Sequence, residues 1–310
     1  MSGLGGPLDL LVGLAAVLTG SVAYAYSFES LASRARLGQG LAGGVVSPLL
    51  TSVPELAVLL ASIVEFRGAG GLGVAEGTVV GEPLVIATVA LPASIALTGG
   101  LNVDRSVSRP YLAFAALFPL VLAPRLLGGL LPRAGAASCL VASYVALALA
   151  WRSGGEEVPE RSTPVKVSAP LLVASVASFA YGSRLLVAGV LWAAGELGVT
   201  AAAASSLLVP AATALPEALA ALAWARRGLG TMAASALIGE QVLYATVYPA
   251  VGMLAAPWPA SPDVIAAVAA TEAAVLASAA GAMRGRLGGA QAWAGVASIA
   301  AYLAFLGLER

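Results

Sequence analysis

Four glutamates stand inside long apolar stretches of this sequence, where ionisable side chains are rare. They are Glu55, Glu82, Glu217 and Glu240. A carboxylate at the centre of a bilayer costs roughly 2.5–3.5 kcal/mol on insertion scales, so such residues mark binding sites or ion pathways. Hard cations prefer oxygen ligands and compensate the negative charge. We therefore predict a cation site within a membrane. Protonated glutamates that hydrogen-bond neighbouring helices are the structural alternative.

Two of these glutamates have a hydroxyl one helical turn away. Thr51 lies four residues before Glu55, and Thr213 lies four residues before Glu217. Residues four apart share one face of a helix. Each pair is therefore expected to present a hydroxyl and a carboxylate side by side.

A proline comes directly before each of the same two glutamates. Pro54 and Pro216 have no N–H, so the carbonyls of Leu50 and Ala212, four residues back, lose their helical partner. In lipid a freed carbonyl needs another partner, and a bound cation is one. We expect these two carbonyls to belong to the cation site.

The two Pro-Glu segments belong to a longer internal repeat. Residues 51–61 (TSVPELAVLLA) align with 213–223 (TALPEALAALA) at an offset of 162, and 81–89 (GEPLVIATV) align with 239–247 (GEQVLYATV) at an offset of 158. The shared proline, glutamate and glycine are costly in membrane spans, which argues against chance similarity. Gly81 and Gly239 are expected to let another helix approach closely beside Glu82 and Glu240.

The composition supplies membrane helices to position these residues. Of the 310 residues, 59% are apolar and only 10% are charged, against about 25% charged in soluble proteins. A membrane helix needs about 20 apolar residues. Ten such stretches lie at about 8–28, 40–65, 72–98, 110–130, 135–151, 168–192, 198–225, 229–256, 264–283 and 288–307. The prediction is an all-α integral membrane protein with ten transmembrane helices.

The same composition argues against several classes of function. The chain has no histidine, and its single cysteine, Cys139, cannot form an internal disulfide. No Ser or Asp pair recurs with catalytic spacing, so an enzyme is not expected. No basic cluster is large enough for nucleic-acid binding. The expected partners are inorganic cations and the lipid bilayer, and the sequence implies neither a cofactor nor a protein partner.

One polar segment, 152–166, divides the chain into a first half at 1–151 and a second half at 167–310, with five spans each. Because five is odd, the second half enters the membrane from the opposite side. The repeat is therefore expected to be inverted, as in secondary transporters that bind substrate at the midplane between their repeats.

Positive charges predict the orientation. Eleven Lys and Arg residues fall in connectors after odd-numbered spans, and four fall on the other side. The positive-inside rule then places the 152–166 linker in the cytoplasm and both termini outside the plasma membrane. Arg184 lies within the sixth span, where we expect it to snorkel or to be internally paired, and a role near the cation site is the alternative. Glu65 and Glu76 lie near span ends and are expected to be interfacial.

These motifs resemble the α-repeats of the cation/calcium exchanger superfamily, which includes the sodium/calcium exchangers. The resemblance rests on the Pro-Glu segments 51–55 and 213–217 and on the Gly-Glu segments 81–83 and 239–241. It implies ten helices in two inverted five-helix halves. It also implies that Glu55 and Glu217 ligate the transported cation, with added oxygens from Thr51, Ser52 and Thr213.

The sequence departs from the family pattern at the Gly-Glu segments. Glu82 and Glu240 stand where the family usually has serine, and Ile86 and Tyr244 replace a polar Asn or Asp. Four carboxylates in one poorly solvated site resist simultaneous ionisation, so Glu82 and Glu240 are expected to hold protons for part of the cycle.

The resulting prediction is a secondary-active antiporter that exchanges Ca²⁺ for Na⁺ or H⁺ by alternating access. A cation/proton exchanger for another divalent metal is an alternative within transport. A membrane scaffold or sensor that kept the fold without transport is an alternative of another class.

Overall fold

The computed structural model describes residues 5–32, 48–49, 52–66, 68–151, 165–255 and 260–308. Leu50, Thr51 and most of the 152–166 linker lie outside these ranges.

The first half contains α1 (Gly6–Ala32), α2 (Val53–Val64), α3 (Ala69–Val85), a π-helical turn (Ile86–Ala90), α4 (Leu91–Thr98), β1 (Leu101–Asn102), a 3-10 turn (Arg105–Val107), α5 (Ser108–Leu117), a 3-10 segment (Phe118–Arg125) and α6 (Leu130–Trp151). The second half contains α7 (Val165–Leu197), α8 (Ala201–Thr213), α9 (Leu215–Arg226), α10 (Gly230–Ala255), α11 (Pro262–Met283), β2 (Arg286–Leu287) and α12 (Gly289–Leu308).

The helices have the length and composition of membrane spans, which confirms the all-α membrane fold. Helix occurs within each of the ten predicted ranges. Among the described residues, six helical segments are long and apolar enough to cross a bilayer: Gly70–Thr98, Arg105–Ala123, Leu130–Ala150, Val167–Leu197, Pro262–Met283 and Gly289–Leu308. A total of ten spans therefore stays a prediction. The surface is apolar as well, with Leu131 84% exposed and Leu308 86% exposed.

Helix α10 lies at the centre of the molecule. It is buried along most of its length and packs against α3, α5, α6 and α9. Its Glu240 and Gln241 side chains are polar, and exposing them to lipid would cost free energy. The interior position of α10 avoids that cost because protein surrounds both side chains.

Glycines bring helices of the two halves into close contact. A Cβ added to Gly81 of α3 would lie 2.7 Å from the Ser206 carbonyl carbon in α8, so only glycine fits without a shift. A Cβ at Gly13 of α1 would lie 2.7 Å from the Leu186 Cα of α7. Small residues allow such backbone approach in membrane helices. The prediction for Gly81 is therefore confirmed.

A short strand pair joins the two halves at one end of the molecule. β1 and β2 are antiparallel, with Leu101 opposite Leu287 and Asn102 opposite Arg286. The Val103 N–H extends the ladder by donating to the Gly285 carbonyl at 3.0 Å. The α4–α5 linker of the first half is thus tied to the α11–α12 linker of the second half.

The third predicted span changes its helical pitch after Glu82. Pro83 lies inside α3 and lacks the N–H of a regular turn. The Ile86 N–H donates to the carbonyls of both Glu82 and Pro83, and Ile86–Ala90 form the π-helical turn. Such turns are rare and often mark functional sites.

Candidate cation site

Both Pro-Glu motifs lie where a new helix begins. Pro54 is in the first turn of α2, and Pro216 is in the first turn of α9. Proline is tolerated there because first-turn N–H groups have no intrahelical partner. In the second half, Ala214 separates α8 from α9, so the seventh predicted span is interrupted at the motif.

The break at Ala214 contradicts the expectation that Thr213 and Glu217 lie on one helix. Thr213 ends α8 and Glu217 lies in α9, so the pair does not share the face of one continuous helix. The spacing argument failed because Pro216 favours a new helix start over a continued helix. Ala212 lies in the last turn of α8, directly before the break.

Three of the four glutamates are almost completely buried. Glu55 and Glu82 are each 1% exposed and Glu240 is 2% exposed, whereas Glu217 is half-buried. The three buried carboxylates therefore face the protein interior and not lipid. Charged side chains are almost never this buried without partners.

The partners of the Gly-Glu carboxylates come from the opposite half. Ser52 Oγ of the first half donates a hydrogen bond to Glu240 Oε1 of the second. Thr213 Oγ1 of the second half donates to Glu82 Oε2 of the first, at 3.2 Å. Each Gly-Glu carboxylate thus contacts a hydroxyl of the other half's Pro-Glu motif, and neither half forms the site alone.

The four carboxylates also share one electrostatic neighbourhood. Glu82 lies close enough to interact with the charges of Glu55, Glu217 and Glu240. Glu55 interacts in the same way with Glu217 and contacts Thr213. Within the described ranges, Glu55 Oε2 and Glu82 Oε1 are buried without a hydrogen-bond partner. These oxygens have lone pairs available to a cation or a proton.

The carboxylates do not form a metal cage by themselves. No three Asp, Glu, Cys or His side chains in the described part of the chain converge closely enough to hold one metal ion together. A cation in this region would need neutral oxygens as well. Ser52 and Thr213 supply two hydroxyls here, while Leu50 and Thr51 belong to residues that the structure does not describe.

Two tyrosines of α10 complete the surroundings and were not predicted as site residues. The Tyr248 hydroxyl donates to the Ser52 carbonyl. Tyr244 stacks on Tyr248, with ring centroids 4.3 Å apart and planes 15° apart. Their spacing of four residues was a usable signal, but stacked aromatics on one helix face more often indicate packing.

A neighbouring amide was also missed. Gln241 is fully buried, and neither of its amide atoms has a hydrogen-bond partner within the described ranges. It follows Glu240 directly, while the equivalent position of the first half is Pro83. A buried polar residue beside a repeated glutamate was the available signal. Its amide can offer one more neutral oxygen.

Two other charged residues also carried predictions from the sequence. Arg184 Nε pairs with Glu65 Oε1 at 2.7 Å, which confirms that Arg184 is paired. Glu76 is fully buried and accepts a hydrogen bond from the Ala260 N–H at 2.9 Å. It is buried because α3 packs against α8, and its interfacial depth in the membrane stays a prediction.

Comparison with known proteins agrees with this arrangement. The family model described as sodium/calcium exchanger protein matches residues 6–151 and 167–309, which is nearly the whole chain. This chain belongs to the sodium/calcium exchanger family. The two matched segments are separated at the central polar linker. No curated protein matches the sequence.

Solved structures of exchangers share the fold of this family member. A structure of the sodium-calcium exchanger NCX_Mj soaked with Na⁺ and Sr²⁺ has a TM-score of 0.63 at 23% identity, and 97% of each chain is covered. A structure of the H⁺/Ca²⁺ exchanger CAX has a TM-score of 0.76 at 16% identity, and covers 98% of this chain and 86% of its own. At these identities the likeness shows the fold.

Proposed function

We propose that this exchanger-family protein is a secondary-active antiporter, and not an enzyme, that moves Ca²⁺ in exchange for Na⁺ or H⁺. The observation that carries the proposal is the pair of hydroxyl–carboxylate hydrogen bonds that cross between the halves. A site built jointly by two inverted repeats changes when the repeats move relative to each other. Such movement is how alternating access exposes a midplane site to each side in turn.

Glu55 and Glu217 are the proposed charged ligands of the transported cation. Ca²⁺ takes about 6–8 oxygen ligands, which exceeds what two carboxylates provide. We propose that the remaining oxygens are the hydroxyls of Thr51, Ser52 and Thr213 and the carbonyls of Leu50 and Ala212. Another divalent metal with oxygen preference would use the same set.

Protons are the counter-ion that the site favours. One Ca²⁺ compensates two negative charges, while four carboxylates share this region. Glu82 and Glu240 each contact a hydroxyl of the opposite half. Both hydroxyls also lie within donating distance of a backbone carbonyl, so each can accept a hydrogen bond from a protonated carboxyl. Either glutamate can therefore carry a proton while Glu55 and Glu217 hold the cation. Sodium is the alternative counter-ion, and an uptake assay with separate Na⁺ and H⁺ gradients distinguishes the two ions.

We propose that the 152–166 linker is cytoplasmic, that both termini lie outside the plasma membrane, and that the halves are 1–151 and 167–310. Cys139 is free and exposed, so the labelling test uses a Cys139→Ala background. A Gly155→Cys variant should react with impermeant thiol reagents only from the cytoplasmic side. Labelling of that cysteine in intact cells would contradict the orientation.

The decisive experiment places purified protein in liposomes and measures radioactive Ca²⁺ uptake under an imposed Na⁺ or H⁺ gradient. We expect uptake that stops when the gradient is dissipated by an ionophore. A response to the proton gradient alone would identify protons as the counter-ion. Failure to move Ca²⁺, Mn²⁺ or any other divalent ion under either gradient would favour the scaffold or sensor.

A further inference from the structure

An open cleft lies at the end of the molecule where β1 and β2 pair. Its volume is about 350 Å³, and its lining includes Thr98, Asn102, Arg226, Gly228 and Gly230. The lining comes from the end of α4, from β1, and from the α9–α10 connection. Both halves therefore contribute to the cleft.

A second guanidinium stands at the rim. Arg286 Nη2 approaches the Gly99 carbonyl at 3.4 Å, and Arg286 Nε lies 3.4 Å from the position that a Cβ on Gly100 would occupy. Gly100 is itself part of the lining. Arg226 and Arg286 therefore flank the cleft from the second half.

The charge around the cleft is predominantly positive. The α4–α5, α9–α10 and α11–α12 linkers and the helix residues beside them carry six arginines and one aspartate: Arg105, Arg109, Arg226, Arg227, Arg284, Arg286 and Asp104. Hydrogen bonds from Ser106 lower the pKa of Asp104, and the Ser106 N–H holds its carboxylate at 2.7 Å. The aspartate is thus engaged within its own turn, and among the described residues no acidic side chain lines the cleft.

Apolar side chains continue from the cleft toward the bilayer. Leu97, which lines it, is 58% exposed, and Leu229, between two lining glycines, is 42% exposed. Leu97 lies in the last turn of a segment long and apolar enough to span a membrane, and Leu229 directly precedes α10, so both are expected near the depth of lipid headgroups. An occupant is therefore expected to carry an anionic head and an apolar tail.

We propose that this cleft binds an anionic phospholipid, with Arg226 and Arg286 contacting the phosphate and the acyl chains leaving along Leu97 and Leu229. Guanidinium groups match phosphate oxygens in charge and geometry. Basic pockets between transmembrane helices on the cytoplasmic side are suited to acidic headgroups. The site is separate from the four glutamates, so it holds whether or not the transport proposal does.

The test is a binding titration on the purified full chain in a neutral detergent, followed by native mass spectrometry. The probes are short-chain phosphatidylglycerol, phosphatidylcholine with the same acyl chains, and inorganic phosphate. We expect saturable binding of phosphatidylglycerol and much weaker binding of the other two. Arg226→Gln and Arg286→Gln should each weaken phosphatidylglycerol binding by about tenfold, the loss typical of one charge-assisted contact.

Arg227→Gln is the matched control, because it removes the same charge one residue away from the lining. Its affinity should stay within about twofold of the wild-type value. Equal losses of affinity in all three variants would contradict a specific site in the cleft and would indicate a general basic surface. Equal binding of phosphatidylcholine would contradict recognition of an anionic headgroup. Equally tight binding of inorganic phosphate would contradict a lipid as the ligand.

Discussion

The two Gly-Glu helices carry the same motif but differ in local structure. After Glu82, the first-half helix passes through Pro83 and the π-helical turn. After Glu240, α10 continues as a regular helix and places Tyr244 on Tyr248. Each glutamate still reaches a hydroxyl of the opposite half.

The comparison shows which part of a duplicated site is constrained. In both copies the carboxylate contacts a hydroxyl of the other half, although Ser52 aligns with Ala214 and not with Thr213. The carboxylate is thus the feature that the two copies share at the proposed site. The residues one turn later differ, because in one copy a backbone distortion shapes the space and in the other an aromatic pair fills it. The following predictions test whether the copies are functionally equivalent.

The largest effect is expected at the Pro-Glu carboxylates. Glu55→Gln should lower Ca²⁺ binding by about a hundredfold or more, since removing one partner of a buried charged contact typically costs about 3–5 kcal/mol. Glu217→Gln should lower it by a smaller but still large factor, because Glu217 is only half-buried. Isothermal titration on folded, monodisperse protein measures the loss. Glu196→Gln, on an exposed residue at the end of α7, is the control. Wild-type binding by both variants would place the site elsewhere, and loss in Glu55→Gln alone would make the halves unequal.

The close contact of the first-half helix should be the next most sensitive feature. Gly81→Ala places a Cβ against the Ser206 backbone, and overpacking of this kind costs about 1–3 kcal/mol. The melting temperature of the purified protein should fall. Gly135→Ala in α6 is the control, because nothing lies within 4 Å of its added Cβ. Equal melting temperatures for the two variants would show that α3 and α8 can separate without cost.

The Gly-Glu carboxylates should control the pH dependence. Ca²⁺ binds ionised carboxylates, so protons compete, and wild-type affinity should fall as the pH falls. Binding is measured over roughly pH 5.5 to 8.5 in wild type, Glu82→Gln, Glu240→Gln and the double variant. The double variant should have the flattest profile. Parallel profiles in all four proteins would contradict proton carriage, and flattening by only one single variant would assign it to one half.

The smallest effect is expected from the aromatic pair of the second half. Tyr248→Phe removes the hydroxyl that donates to the Ser52 carbonyl, at a cost of about 1 kcal/mol for one hydrogen bond. Melting temperature and Ca²⁺ affinity should both fall slightly. Tyr111→Phe is the control, since its buried hydroxyl has no hydrogen-bond partner in the described part of the chain. Indistinguishable variants would show that Tyr248 contributes packing only.

Local sequence patterns were sufficient for the fold. Apolar length predicted membrane helices, and the repeat singled out four glutamates, of which the structure buries Glu55, Glu82 and Glu240. The Arg184–Glu65 pair could also be expected, because a charge within an apolar span needs a partner.

The cross-half contacts could not be predicted in this way. Ser52 and Glu240 are 188 residues apart, and Thr213 and Glu82 are 131 apart. Their meeting depends on how two helix bundles pack, which no local period encodes. The break at Ala214 and the burial of Glu76 have the same origin. A proline can kink a helix or restart it, and tertiary packing decides between these outcomes.

The strand pair between β1 and β2 limits how the two halves can move relative to each other. Its hydrogen bonds connect the backbones of two linkers, one from each half, and not their flexible side chains. A link of two residues per strand adds little to the total free energy, yet it keeps the two backbones at a fixed spacing at that end. If the two halves move while these hydrogen bonds stay intact, the motion is a rotation about the end that carries the arginines. The residues at the opposite end of the molecule are then displaced the most.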